Sequence, residues 1–133
     1  MGLIGGIPLI GTALLIFYST RAAARGTLPR GTGVGIRTAI TGHSDAAWVA
    51  GHRAAVPCAT LLSIVSGALA VALVVAGAMS PPDPGPAVIV LFVLGYGTIL
   101  VGAWPLVRIA NNGALDFCYQ QEDADSNVNQ QDG

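Results

Sequence analysis

The fold is decided by residues 56–79, which read VPCATLLSIVSGALAVALVVAGAM. These 24 residues contain no charged side chain, and about 20 apolar residues are enough for a helix to cross a bilayer core of about 30 Å. The composition agrees, because 53% of the 133 residues are hydrophobic and only 10% are charged. A soluble domain typically carries about 25% charged residues. We therefore predict a membrane protein.

Two further apolar stretches lie on either side of this one, at about residues 2–20 and 87–107. No positive side chain precedes the first stretch and arginines follow it, which favours an uncleaved membrane anchor over a signal peptide. The connection 80–86, SPPDPGP, is short and rich in proline, so it predicts an antiparallel hairpin of the second and third spans. The expected fold is an all-α membrane domain of three transmembrane helices over residues 1–110.

The charges predict how the chain is oriented. Residues 19–55 hold five of the six arginines and a single acid, Asp45, and Arg108 directly follows the third span. Because positive charge collects on the cytoplasmic side of membrane proteins, we expect the loop 21–55 and the C-terminus in the cytoplasm. The N-terminus and the 80–86 connection are then expected outside. The net charge of −1 gives no field that would attract nucleic acid.

The second half of the loop has the pattern of a short amphipathic helix. Ser44 is a suitable N-cap and Asp45 favours the first turn of a helix. Asp45, Trp48, Val49 and His52 recur at three- and four-residue spacing and so share one face. We interpret this segment as a helix at the bilayer surface or on the underside of the helix bundle, with Pro57 marking a bend or the first turn of the next helix.

The last 23 residues, 111–133, differ in composition from the rest. They carry acidic side chains among Asn and Gln and few apolar residues, which is typical of disorder. We therefore predict a disordered acidic tail.

Small residues repeat along the second span at four-residue spacing, as Ala59, Ser63 and Gly67. Such a stripe allows a neighbouring helix to approach closely. In the third span Tyr96 falls between two glycines, and its buried hydroxyl needs a partner. That partner is either a neighbouring helix or a ligand.

The polar side chains of the loop do not form a catalytic set. Ser44 is adjacent to His43 in sequence, which is not the arrangement of a nucleophile and its base, and N-capping explains this serine. His43 and His52 lie nine residues apart and lack the further ligands of a metal site. We expect no enzyme activity, no metal and no cofactor.

Structural roles account for more of these residues. We expect Arg37 to pair with Asp45 or to bond carbonyl groups at a helix end. Trp48 would anchor the helix at the lipid headgroups, and His52 and Arg53 would face lipid phosphates. Their density in one loop also suggests a recognition surface.

Three elements in order, Gly35-Ile36-Arg37-Thr38, Ser44-Asp45-Ala46-Ala47-Trp48 and Gly51-His52-Arg53, resemble the signature of the SdpI family of bacterial membrane immunity proteins. In that family Asn often stands where this chain has Gly33, and its longer members carry additional spans. The chain resembles a short, three-span module of the family. The motif residues carried over by position, taken with the acid between them, are Gly35, Ile36, Arg37, Thr38, Asp45, Trp48, His52 and Arg53.

The resemblance implies a multi-pass protein of the bacterial plasma membrane that is not an enzyme. It would protect its producer against a membrane-active toxic peptide, or signal the presence of that peptide to a cytoplasmic regulator. Its surroundings would be the lipid bilayer. The alternative is a small accessory subunit of a larger membrane complex, which the chain length and the small-residue stripe also permit.

Overall fold

The computed structural model describes residues 2–79 and 85–131, and within these ranges the chain forms three α-helices and no strand. They are α1 (Gly2–Ala24), α2 (Asp45–Met79) and α3 (Pro86–Gln131). Each is long and apolar enough to cross a membrane. The all-helical fold with three candidate spans, predicted from sequence, is confirmed. The proline-rich connection falls mainly on residues 80–84, so the predicted hairpin turn lies outside the described residues.

Local sequence explains where α1 ends and α2 begins. After α1, Gly26 has a φ of 74°, a conformation that glycine adopts without a steric penalty. The Gly26 and Thr27 amides donate to the Ala23 and Ala22 carbonyls, at 3.0 Å each, which is the Schellman pattern of a helix C-terminus. At α2, the Ala47 amide donates to Ser44 Oγ at 3.0 Å, so the predicted N-cap is confirmed.

The amphipathic segment is part of a longer helix than the sequence predicted. α2 runs through Pro57 without interruption for 35 residues, so residues 45–55 and the span 56–79 form one helix. At about 1.5 Å per residue this helix is about 52 Å long, well beyond the apolar core of a bilayer. Pro57 has no amide hydrogen, so it removes one backbone hydrogen bond from α2 without ending the helix.

The structure also differs from the expected disorder at the C-terminus. α3 continues past the third span as a helix to Gln131, and the expected domain boundary at residue 110 lies inside it. Extending an existing helix needs no new nucleus, so a polar sequence attached to a long apolar helix can remain helical. The prediction of disorder rested on composition, which does not account for the apolar helix to which the polar segment is attached. Residues 132 and 133 lie outside the described part.

The chain divides into two compact units. Unit 1 consists of Met1–Tyr18 and Pro57–Leu106. Its helices pack through small residues: a Cβ at Gly2 would lie 2.5 Å from Gly77 Cα, and one at Gly6 would lie 3.1 Å from the Ala70 carbonyl oxygen. Many large apolar side chains of this unit face outward, as a lipid-contacting surface requires; they include Leu3, Ile4, Ile7, Leu61, Ile64, Leu100 and Val101.

Unit 2 consists of Ser19–Val56 and Val107–Gly133. It contains the polar loop and all the motif residues. Two glycines allow its helical segments to approach each other. A Cβ at Gly51 would lie 2.6 Å from the Ala110 carbonyl oxygen, and one at Gly113 would collide with the Ala54 side chain. The loop is therefore folded beside a closely packed helix pair.

Candidate functional site

Most of the motif residues meet in one buried cluster of unit 2, organised around His52. This side chain is fully buried. Its Nε2 accepts a hydrogen bond from the Ile36 amide at 2.9 Å, and its Nδ1 lies 2.8 Å from the Trp48 carbonyl oxygen. We call this cluster the loop junction; its members are Gly35, Ile36, Thr38, Thr41, Trp48, His52 and Asn111.

The two bonds of His52 fix its protonation state. Because the Ile36 amide donates to Nε2, that nitrogen carries no proton, and Nδ1 must be the donor to the Trp48 carbonyl. The imidazole is therefore neutral. His52 precedes the span predicted at residues 56–79, and burial lowers its pKa below the ordinary value of 6.5, against the opposing effect of its bond to the Trp48 carbonyl. A proton on Nε2 would place an imidazolium N–H against the Ile36 amide N–H, so protonation of His52 would break that hydrogen bond.

Trp48 forms the second part of the loop junction. Its side chain is only 2% exposed, and its Nε1 donates to the Leu28 carbonyl oxygen at 3.0 Å. The indole also lies against the His52 ring, with centroids 4.1 Å apart and planes inclined at 45°. The expected positions of Trp48 and His52 at the lipid headgroups were wrong, because both rings are used to fix the loop inside unit 2.

Gly35 fits this cluster because it has no side chain. Its φ is 109°, a value that residues with a Cβ rarely adopt. An added Cβ would lie 2.8 Å from Trp48 Cη2 and 3.1 Å from His52 Nε2. The glycine therefore allows the backbone to turn directly against the two rings, which brings the next amide, that of Ile36, to His52.

Two threonines close the loop on the other side of Ile36. Thr41 is fully buried and its hydroxyl donates to the Ile36 carbonyl oxygen at 2.9 Å. The Thr38 amide donates to the Thr41 hydroxyl at 3.0 Å, and the Thr41 amide donates to the Thr38 hydroxyl at 3.1 Å. Thr38 in turn donates to Asn111 Oδ1 at 2.5 Å, which links the loop to α3. The polar groups of the turn thus satisfy one another.

Two arginines near the loop junction, Arg37 and Arg53, are exposed, and Arg30 is half-buried. Asp45 pairs with Arg30, at 2.7 Å between Nε and Oδ1, and not with Arg37 as expected. Arg37 instead donates to the Arg30 carbonyl oxygen at 2.6 Å, the alternative role predicted for it, although that carbonyl belongs to the loop and not to a helix end. Arg53 is exposed and makes no hydrogen bond or ion pair with the residues that the structure describes.

The membrane residues singled out from sequence lie in unit 1. Ala59 and Ser63 are buried, whereas a Cβ at Gly67 would meet nothing within 4 Å. The closest helix approaches of this unit fall on other glycines, such as Gly2 and Gly77. Tyr96 donates its hydroxyl to the Gly5 carbonyl oxygen at 2.9 Å, so a neighbouring helix supplies the partner that it needed.

Several contributors were missed by sequence reasoning. Thr41, Asn111 and the Leu28 carbonyl all bond motif residues, yet none has a spacing or composition that distinguishes it. In residues 2–79 and 85–131, no three His, Cys, Asp or Glu side chains group as metal ligands would. With its histidine, tryptophan and threonines engaged in internal bonds, the loop junction is built to hold a conformation.

Comparison with known proteins gives no relative. No protein-family model, no curated protein and no solved structure matches the chain.

Proposed function

We propose that this chain is a multi-pass protein of the bacterial plasma membrane, not an enzyme, that protects against or senses a membrane-active peptide. The proposal rests on the resemblance of residues 35–53 to the SdpI signature. The observation that carries it is the loop junction: five residues of that signature, Gly35, Ile36, Thr38, Trp48 and His52, interlock in space. In such a protein the signature would specify the shape of the loop.

The internal use of the polar groups supports a binding or signalling role over catalysis. Catalysis by His52 would need a ring nitrogen available to a substrate, whereas both nitrogens of His52 are bonded to the backbone. Arg37, Asp45 and Arg53 are exposed. A fixed loop that presents charged side chains suits recognition of a partner, because a preorganised surface loses little conformational entropy on binding.

In the proposed orientation the loop faces the cytoplasm, as the concentration of arginine in residues 19–55 favours. A cysteine placed at exposed His43, in a background with Cys58 and Cys118 replaced by alanine, tests this. A membrane-impermeant maleimide should label that cysteine only after the cells are opened. Labelling in intact cells would place the loop outside and contradict the proposed orientation.

The function is tested by deleting the gene for this chain in its native host and growing the deletion mutant in conditioned medium from stationary wild-type cells. We expect membrane depolarisation that the wild-type chain rescues. Trp48→Ala should fail to rescue, because it removes the indole that fixes the loop, and His43→Gln should rescue fully, because this exposed histidine lies outside the loop junction. A deletion mutant that grows and stays polarised like the wild type would contradict the proposal.

The alternative, an accessory subunit of a larger complex, predicts a different result on purification. Mild extraction of the tagged chain from native membranes, followed by mass spectrometry, would then recover a stoichiometric partner. Recovery of the chain alone or as a self-oligomer would favour the immunity or sensing function.

A further inference from the structure

Unit 2 also contains an open polar cavity of about 640 Å³, which borders the loop junction at Trp48 and Thr38. Its walls include Arg30, Gly31, Arg37, Gly42 and Trp48. The volume is within the range of small-molecule sites, about 300–1,000 Å³. The two guanidinium groups make the cavity a place where negative charge is favoured.

Both guanidinium groups are held in position by the loop. Arg30 donates from Nη1 to the Gly42 carbonyl oxygen at 2.7 Å and from Nε to Asp45 Oδ1 at 2.7 Å. Arg37 donates from Nη2 to the Arg30 carbonyl oxygen at 2.6 Å. These bonds reduce the conformational entropy that the side chains would lose on binding a ligand.

Charge and donors remain unused at Arg37. Among residues 2–79 and 85–131 no carboxylate pairs with it, and one backbone bond engages only one of its five N–H donors. Asp45 neutralises one arginine of the pair at most, so the two guanidinium groups together keep a net positive charge. A planar guanidinium with several unused donors matches the oxygens of a phosphate bidentately.

We propose that this cavity binds a phosphate group, with Arg37 as the principal ligand and Arg30 beside it. Two sources offer this chemistry, the headgroup of an anionic phospholipid and a soluble phosphate. The assignment does not depend on the immunity or sensing function, since it follows from the cavity and its arginines alone.

Direct binding to the purified full chain in maltoside, in phosphate-free buffer, tests the proposal. One series uses radiolabelled inorganic phosphate and the other uses radiolabelled short-chain phosphatidylglycerol, with phosphatidylcholine as competitor. Saturable binding is expected in at least one series, and the series that saturates identifies the source. Arg37→Gln should weaken it about tenfold, the loss expected when a charged donor is removed, and Arg37→Lys should weaken it less.

Arg53→Gln is the matched control, because it removes the same charge from an exposed arginine of the same unit that lies outside the cavity. It should leave the affinity nearly unchanged. Unaltered Trp48 emission in a Trp104→Phe background would verify that the Arg37 variants remain folded. Equal weakening by Arg53→Gln and Arg37→Gln, or no saturable binding of either ligand at millimolar concentration, would overturn the proposal.

Discussion

Unit 1 and unit 2 are built from segments of the same three helices, yet they are held together by different interactions. In unit 1 glycines let helices approach closely, large apolar side chains face outward, and Tyr96 supplies a hydrogen bond between helices. In unit 2 a fully buried histidine, a tryptophan and two threonines bond the backbone of an irregular loop.

The difference follows from what each part must satisfy. A regular helix bonds its own amides and carbonyls, so unit 1 needs mainly close packing. An irregular loop leaves its backbone groups without regular partners, and burial makes each unpaired group costly. Side chains have to supply the missing bonds, and the signature residues of unit 2 do so. We therefore expect single substitutions to cost more in the loop junction than in the membrane helices.

The largest effect is expected for His52→Ala. The substitution removes two hydrogen bonds, leaves the Ile36 amide without an acceptor and creates a cavity. We expect the loop to lose about 3 kcal/mol of stability. Hydrogen exchange should show residues 28–41 losing protection. The control is Arg53→Ala, which changes the adjacent, exposed residue and should leave that protection intact. Equal loss of protection in the two variants would show that the loop junction does not depend on His52.

Gly35→Ala should follow, with a loss of about 2 kcal/mol from the strained φ and the forced shift of the Trp48 ring. Gly33→Ala provides a close control, since an added Cβ there meets nothing within 4 Å. Thermal unfolding followed by Trp48 fluorescence in a Trp104→Phe background measures both. If Gly35→Ala unfolds at the same temperature as Gly33→Ala, close contact at Gly35 is not needed.

A smaller loss is expected in unit 1 for Tyr96→Phe, which removes the bond to the Gly5 carbonyl oxygen. Hydrogen bonds between membrane helices average about 0.6 kcal/mol. Tyr18→Phe deletes the same atom from an exposed tyrosine of the same unit and should have no effect. Denaturant titration in detergent compares the two. A cost above that of His52→Ala would reverse the proposed contrast between the units.

The stability of unit 2 should depend on pH near neutrality. The pKa of His52 is lowered by burial in the folded state, so the unfolded chain binds a proton first as the pH falls below about 6.5. Stability is therefore full above that pH and declines below it. The decline should persist in His43→Gln and disappear in His52→Ala. A wild-type stability that rises as the pH falls through this range would contradict a neutral His52.

The smallest effect is expected for Asp45→Asn. Its carboxylate pairs with Arg30, but the two side chains are 86% and 40% exposed, and exposed ion pairs contribute about 0–1 kcal/mol. Thermal unfolding of this variant should differ from that of the wild type by no more than Arg53→Ala does. A loss of stability comparable with that of Gly35→Ala would show that the Arg30–Asp45 pair is needed to hold the loop in its conformation.

The sequence predicted those features that depend on regular patterns. Apolar length revealed the three helices, and the Ser44 cap marked the start of α2. It did not predict the partners inside the loop, because an irregular segment has no periodicity that indicates which carbonyl an indole will reach. Asn111 lies 73 residues from Thr38 and was assigned to the tail on composition. Asp45 was expected to have an arginine partner, but spacing could not distinguish Arg30 from Arg37.

The loop junction depends on a neutral His52 whose Nε2 accepts a hydrogen bond from the Ile36 amide, and nitrogen NMR of the imidazole measures that protonation state. In His43→Gln, His52 is the only histidine of the chain, so its two ring nitrogens can be observed without overlap. At neutral pH we expect a proton on Nδ1 and none on Nε2, which the two bonds require. A proton on Nε2 would mean that the Ile36 amide has no acceptor there, and the loop junction as described would be wrong.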